Sequence, residues 1–310
     1  MTPVTISILT YNRSSLLKIL VTDLTALSYQ PLEIIVVDNH SEDATEQIMR
    51  TEFPDVIYER TETNLGAGAR NIGMKRARGD IVITLDDDVR GVTDTAICEI
   101  VRLFQGRNRL AAVNFKVLDH QTGEICNWVH HCLPEGFCGR EFNTYEITEG
   151  AVAFRKTALE RAGYYPQHFF LSHEGPDLAM RLLDHGYDVI YSPNIEVIHC
   201  HSQLGRKTWT NYYYDNRNLL WLAARNFPLS YAIVYLIRGL GSMLVYSIRD
   251  GYFIYWLKGL RDGFRGMGEA LRERRVLRKR TIRFLKEIDE NRPDIRYMIR
   301  KRLLKKGIRL

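Results

Sequence analysis

Cysteine is scarce and scattered. Five occur in 310 residues, at positions 98, 126, 132, 138 and 200, an odd number with no C-x-x-C pair. That argues against a disulfide framework or a structural zinc site and fits a reducing compartment. No collagen-like period, heptad series or repeat of roughly 20–50 residues is present, which disfavours fibres and solenoids. The opening MTPVTISILTYNR has neither a basic cluster nor a cleavable apolar stretch, so no secretory signal is expected.

The chain has enough apolar and aromatic content, 45% and 11%, to exclude disorder for its bulk. Its length suits one large or two modest domains. The formal charge of +6 conceals an asymmetry. Residues 261–310 hold 18 Lys and Arg against 7 Asp and Glu, and the rest holds 25 against 30. A mildly acidic body with a basic end points to an anionic partner, membrane lipid or nucleic acid.

The pattern along the chain alternates. VTISIL (4–9) is β-rich, and Leu16, Leu17, Leu20, Leu24 and Leu27 recur at helical spacing. LEIIVVDN (32–39) is a continuous apolar run, as in parallel strands buried on both faces. A helix from Ala44 to Arg50, a strand from Val56 to Arg60 and a helix after NLGAGARN follow. DIVITLDDDV (80–89) is one more apolar strand with an acidic end. The β-α-β-α-β-α-β order predicts an α/β sheet. Ligands bind beyond the carboxyl ends of such strands, where Thr10–Arg13, Asp38 and Asp86–Asp88 would gather.

Each polar cluster admits a chemical and a plain reading. Asp86 and Asp88, one residue apart, suit a hard divalent cation shared with phosphates, or form a solvated acidic loop. NLGAGARN (64–71) allows close approach of a ligand or of another backbone, and is neither a P-loop nor a dinucleotide fingerprint. Asp38 accepts a base N–H or caps a turn. Glu174 and Asp177 act as a general base or stabilise a helix start. His199 and His201 complete a metal site or are structural.

Taken in order, TYNR (10–13), VVDN (36–39), NLGAGARN (64–71), LDDDV (85–89), EGAVAFR (149–155), EGPDLAMR (174–181) and PNIEVIHCHS (193–202) resemble family 2 glycosyltransferases. The likeness covers roughly residues 3–205 and extends to bacterial rhamnosyltransferase-like members. The resemblance implies a GT-A fold and inverting transfer from a nucleotide-sugar donor, with Mg²⁺ or Mn²⁺ as cofactor. It implies that Thr10, Tyr11 and Asp38 frame the base, Arg70 lies near base or phosphate, and Asp86 reaches the ribose. Asp88 would bind the metal, with His199 beside it and His201 second. Gly150, beside Glu149, would admit the sugar. The family commonly has E-D-x-D-L-x-x-R, with the second acid as base. Here Gly175 holds that place, so Glu174 takes the role, Asp177 reaches in, or the acceptor is activated otherwise. The acceptor implied is a glycan or lipid-linked hydroxyl in cell-surface polysaccharide or glycolipid synthesis. The competing expectation is a non-catalytic sugar-nucleotide-binding or membrane scaffold protein.

From Phe227 the character changes. The expected division is a catalytic domain over 1–225, apolar amphipathic helices over 226–268 and a basic helical tail over 269–310. On a helix at ~100° per residue, Arg238, Ser242 and Arg249 share a narrow polar stripe. Such helices lie in a membrane interface or pack as ordinary core. A single span would bury Arg238 in the bilayer. With the basic tail, the expectation is a cytoplasmic protein held peripherally on the anionic inner face of the cell membrane. No recognisable RNA-binding module is present, and no nucleic-acid partner is expected.

Overall fold

The structure is a computed structural model that describes residues 1–200, 209–293 and 297. The chain divides into two compact units, one of Met1–Val129 with Phe137–Gln203, the other of His130–Gly136 with Leu204–Leu310.

The elements up to residue 119 are β1 (Val4–Thr10), α1 (Ser14–Thr25), β2 (Leu32–Asp38), α2 (Thr45–Glu52), β3 (Ile57–Arg60), α3 (Arg70–Arg76), β4 (Ile81–Asp86), β5 (Val89–Arg90), α4 (Asp94–Gly106) and β6 (Leu110–Asp119). Then come α5 (Pro134–Phe137), β7 (Phe142–Asn143), β8 (Ala151–Arg155), α6 (Lys156–Ala162), α7 (Glu174–Asp184) and β9 (Asp188–His199). The strands form one sheet in the order β3-β2-β1-β4-β8-β6-β9-β5, with β7 against β9. The first four are parallel, as the apolar runs of β2 and β4 predict. β8 runs antiparallel to both β4 and β6.

Successive crossovers lead from β1 out to β3 and then back to β4 on the other side of β1. The sheet therefore has a switch point at the carboxyl ends of β1 and β4, where ligands settle in open α/β sheets. Val4, Ile6 and Ile8 of β1 are buried in one cluster with Leu17, Leu20 and Leu24 of α1 and Ile97, Ile100 and Phe104 of α4. Fully burying each such side chain contributes roughly 1.5–3 kcal/mol. The core holds the strand ends at fixed spacing. α4 starts where the Thr93 hydroxyl accepts the Ala96 N–H at 3.2 Å.

The run 80–89, expected as one strand, is two. β4 stops at Asp86, and β5 pairs antiparallel with the end of β9, Val89 opposite His199. The break turns Asp87 and Asp88 into the interior.

The second unit contains α8 (Thr210–Asn226), α9 (Leu229–Arg249), α10 (Phe253–Arg265), α11 (Met267–Arg272) and α12 (Lys279–Asp289). α8 belongs here, ahead of the boundary at 225 drawn from composition, because α9, α10 and α11 all pack on it. Glycines make the approach possible. A Cβ on Gly259 would lie 2.5 Å from the Tyr213 carbonyl, and one on Gly263 would lie 2.6 Å from Leu220. The Trp221 indole donates to the Gly263 carbonyl at 2.8 Å.

Candidate active site

At the end of β2, Asp38 is fully buried. Its Oδ1 accepts the Ser41 N–H at 2.8 Å, and its Oδ2 accepts the Tyr58 hydroxyl. Burial, and then this carboxylate, push the Tyr58 phenol up. Asn39 anchors the glycine loop: its Oδ1 accepts the Leu65 N–H at 2.8 Å, and its Nδ2 donates to Asn64 at 3.0 Å. Thr10 turns inward and donates its hydroxyl to Asp87 at 2.8 Å. Tyr11 faces out, 44% exposed, with its ring free to stack on a planar ligand.

The acidic turn is the most heavily charged part of the crevice. Arg13 Nη1 donates to Asp87 Oδ1 at 3.0 Å and to Asp88 Oδ2 at 2.8 Å. Burial pushes the Asp87 carboxyl up to about 6, and the charges of Asp86 and Asp88 add to this. Arg13 and the Thr10 hydroxyl oppose the shift. On its other side Asp88 meets His199, Nε2 to Oδ1 3.2 Å, and the Asp88 carbonyl accepts the Cys200 N–H at 2.7 Å. Asp88 and His199, 111 positions apart, are therefore brought together by the pairing of β5 with β9. His201 lies outside the described residues. Among the described residues no group of three or more His, Cys, Asp or Glu side chains gathers at one point.

A third cluster lies beside β4. Arg70, at the start of α3, forms an ion pair with Asp86. Gly150 lies against Asp86: a Cβ there would fall 2.3 Å from Asp86 Oδ2. Glu149 is partly exposed, and its Oε1 accepts the Gly175 N–H at 2.8 Å. Glu174, at the N-terminus of α7, is 1% exposed and faces Glu149. Burial raises both carboxyls, and for Glu149 the charge of Glu174 adds to the rise. Asp177 lies one turn on, fully buried, with Oδ2 accepting from Arg181 Nε at 2.8 Å. Arg181 also donates to the Tyr164 carbonyl at 2.6 Å. Asp177 thus belongs to an interior ion pair that ties α7 to the loop after α6.

The small residues of NLGAGARN serve close packing within this unit. Gly66 has φ +60, and a Cβ on it would lie 2.0 Å from the Phe170 carbonyl, which accepts the Ala67 N–H at 2.7 Å. The side chain of Asn71 clamps the backbone of Tyr165 in both directions, at 2.8 and 3.0 Å.

The structure thus brings Asp86 to Arg70 and Gly150, Asp88 to His199 and Arg13, Thr10 to Asp87, and Glu149 to Gly175 and Glu174, while Asp38 is held apart by Ser41 and Tyr58. Arg13 and Asp87 were not assigned roles from sequence. Their signal was present in TYNR and in the middle acid of DDD, but only the tertiary pairing shows its use.

Residues 5–161, just over half of the chain, match the family model described as glycosyl transferase family 2. The O-antigen chain rhamnosyltransferase WbaN of Salmonella anatum is 27% identical over 205 residues, covering 59% of this chain and 61% of that protein. The chain thus matches about three fifths of that relative's length. Among solved structures, Staphylococcus aureus TarS in complex with UDP-GlcNAc superposes with a TM-score of 0.61 at 16% identity, over 93% of this chain and 89% of that one. The mannosyltransferase PcManGT of Pyrobaculum calidifontis, in complex with GDP-Man and Mn²⁺, gives 0.55 at 17% identity, over 98% and 88%. These likenesses establish the GT-A fold.

Proposed function

The chain belongs to glycosyl transferase family 2, and from that premise we propose that it moves a sugar from a nucleotide-sugar donor to a hydroxyl of a glycan or lipid-linked acceptor in cell-surface polysaccharide synthesis, with inversion at the anomeric carbon. The observation that carries this reading is the buried acidic turn at the β1/β4 switch point, held between Arg13 and His199. The rhamnosyltransferase relative favours a deoxyhexosyl donor.

In this reading Tyr11 stacks on the base, and Asp38, fixed by Ser41 and Tyr58, marks the base end of the pocket. Arg70 orients Asp86 toward the ribose, and Gly150 leaves room for the sugar beside it. Asp88 and His199, a carboxylate oxygen and an imidazole nitrogen side by side, would hold Mg²⁺ or Mn²⁺. Such an ion supplies positive charge to the leaving diphosphate. The residues themselves orient both substrates, and a carboxylate of the Glu149–Glu174 cluster receives the acceptor's proton. Asp177 is set aside for that role, since it is engaged with Arg181.

The helical unit supports a peripheral membrane site. Leu229, Ile233, Ile237, Val245 and Ile248 of α9 and Phe253, Ile254 and Phe264 of α10 are exposed, an apolar surface that calls for a partner. Exposed Arg238, Lys258, Arg261 and Arg265 accompany it, which fits anionic lipid at the cytoplasmic face. α9 is also long and apolar enough to cross a membrane by length and composition. Arg238, midway along it, favours the interface. Ile237→Glu with Val245→Glu should abolish co-sedimentation of the full chain with anionic vesicles, and unchanged sedimentation would remove this part of the reading.

The enzymatic reading is tested by nucleoside diphosphate release from a panel of nucleotide sugars with Mg²⁺ or Mn²⁺. Saturable binding without turnover would favour a sugar-nucleotide-binding protein instead.

A further inference from the structure

Two carboxyl side chains from distant parts of the chain meet in this site. Glu149 precedes β8, and Glu174 opens α7. Glu149 Oε1 accepts the N–H of Gly175, the residue next to Glu174, at 2.8 Å, and the two carboxyls face each other. Both oxygens of Glu174 are buried, and no other residue's N–H or O–H is bonded to them. Two ionised carboxylates in that position would repel, with no hydrogen bond from another residue on Glu174 to offset it. The arrangement calls for one proton between them. The other groups facing the pair are the Arg70 guanidinium, the Tyr165 phenol and, toward Glu174, His173. Arg70 is already ion-paired to Asp86, so its charge moderates the pair without replacing the proton.

The two are unequal in access. Glu174 is 1% exposed, whereas solvent reaches Glu149. Glu149 is also fixed in place: its Oε1 takes the Gly175 N–H at 2.8 Å, and a Cβ on residue 175 would lie 2.7 Å from the same oxygen. An acidic side chain on residue 175 would start where this carboxylate now sits. Glycine at 175 and glutamate at 149 are thus two halves of one arrangement.

Resting on the glycosyl-transfer reading, we infer that Glu149 is the catalytic base, acting from the space that an acid at position 175 would fill, and that Glu174 is its proton-sharing positioning residue. The acceptor hydroxyl gives its proton to Glu149 as its oxygen bonds to the anomeric carbon. The bond from that carbon to the diphosphate oxygen breaks, and its electron pair leaves with the diphosphate. The carboxyl pair ends with two protons and returns one to solvent. Either placement of the shared proton serves, because a proton entering at Glu149 displaces the shared one onto Glu174.

The test uses the full chain and four variants. Glu149→Gln keeps an oxygen for the Gly175 N–H and cannot take a proton. Its kcat should fall at least ~100-fold with nucleoside diphosphate affinity within ~3-fold of the parent. Glu174→Gln should retain more activity, and the acid limb of its kcat–pH profile should move to higher pH, because an amide stabilises the ionised Glu149 less than the shared proton does. Glu149→Ala should be as impaired as Glu149→Gln, and Glu149→Ala with Gly175→Asp should recover at least ~10-fold over Glu149→Ala alone. Full activity in Glu149→Gln, or an unmoved acid limb in Glu174→Gln, would overturn the assignment. Should no donor be turned over by the parent, the glycosyl-transfer reading fails first, and the pair is still tested. The apoprotein near neutral pH should show a carboxylic-acid C=O stretch in the infrared that each Gln variant shifts or removes. Its absence would overturn the shared proton.

Discussion

Removing the guanidinium from Arg13 should turn the acidic turn against the fold. Arg13 Nη1 bridges Asp87 and Asp88 at 3.0 and 2.8 Å, and neither acid is more than 4% exposed. Asp87 ionises at about 6 with Arg13 present, against 3.8 ordinarily, chiefly through burial. Its ionisation in the fold therefore already opposes stability by roughly 3 kcal/mol above that pH. The sign follows from proton uptake. A carboxyl raised in the fold binds more protons folded than unfolded, so stability is lost as pH rises from about 4 through the folded value. Arg13→Met removes the cation that opposes the shift. It raises the Asp87 value further and leaves two buried acids with one fewer partner, at a cost of about 3–5 kcal/mol. Urea unfolding of chelator-treated protein would measure this. The loss should be near its full size at about pH 8 and clearly smaller at about pH 4.5, where Asp87 is largely protonated. An equal loss at both, or none at either, would refute the reasoning.

Asp177→Asn breaks the interior pair with Arg181, so it should lower stability by about 3 kcal/mol and reduce the yield of folded protein. The kcat of the folded fraction should stay close to the parent's, and a selective kcat loss would return Asp177 to the role of base. Gly66→Ala places a side chain at φ +60 against the Phe170 carbonyl and should destabilise by at least ~1 kcal/mol in thermal unfolding. An unchanged midpoint would mean that the loop yields easily. Gly150→Ala crowds Asp86 Oδ2 and should weaken nucleotide-sugar binding by at least ~10-fold in calorimetry, while a parent-like affinity would show that the sugar does not pass there.

The alternating pattern made the first half of the fold legible. LEIIVVD and IVITLD are unbroken apolar runs, and they became parallel strands buried on both faces. Their acidic ends fell in one crevice because strand direction and connection handedness leave few alternatives. The narrow polar stripe of α9 implied an otherwise apolar helix, and its exposed side is apolar around Arg238. Long-range register was not legible. A two-residue strand, Val89–Arg90, carries no periodicity, yet it sets His199 against Asp88. Nor does spacing reveal that Glu149 faces Glu174, since that contact depends on where β8 lands between β4 and β6. The glycine loop admitted two readings from composition. Close packing against residues 167–170 accounts for Gly66 and Gly68.

The central claim is enzymatic transfer directed by the acidic turn, and its most direct measurement is nucleoside diphosphate release by the parent and by Asp88→Asn, side by side, with Mg²⁺ or Mn²⁺ and a donor panel that includes deoxyhexosyl nucleotides. Asparagine keeps the shape of Asp88 and removes its charge beside His199. The account predicts release from at least one donor by the parent, stimulated by the metal, and a fall of at least ~100-fold in the variant, about 2.7 kcal/mol of barrier. Equal rates in the two proteins, or donor binding without release in the parent, would contradict it.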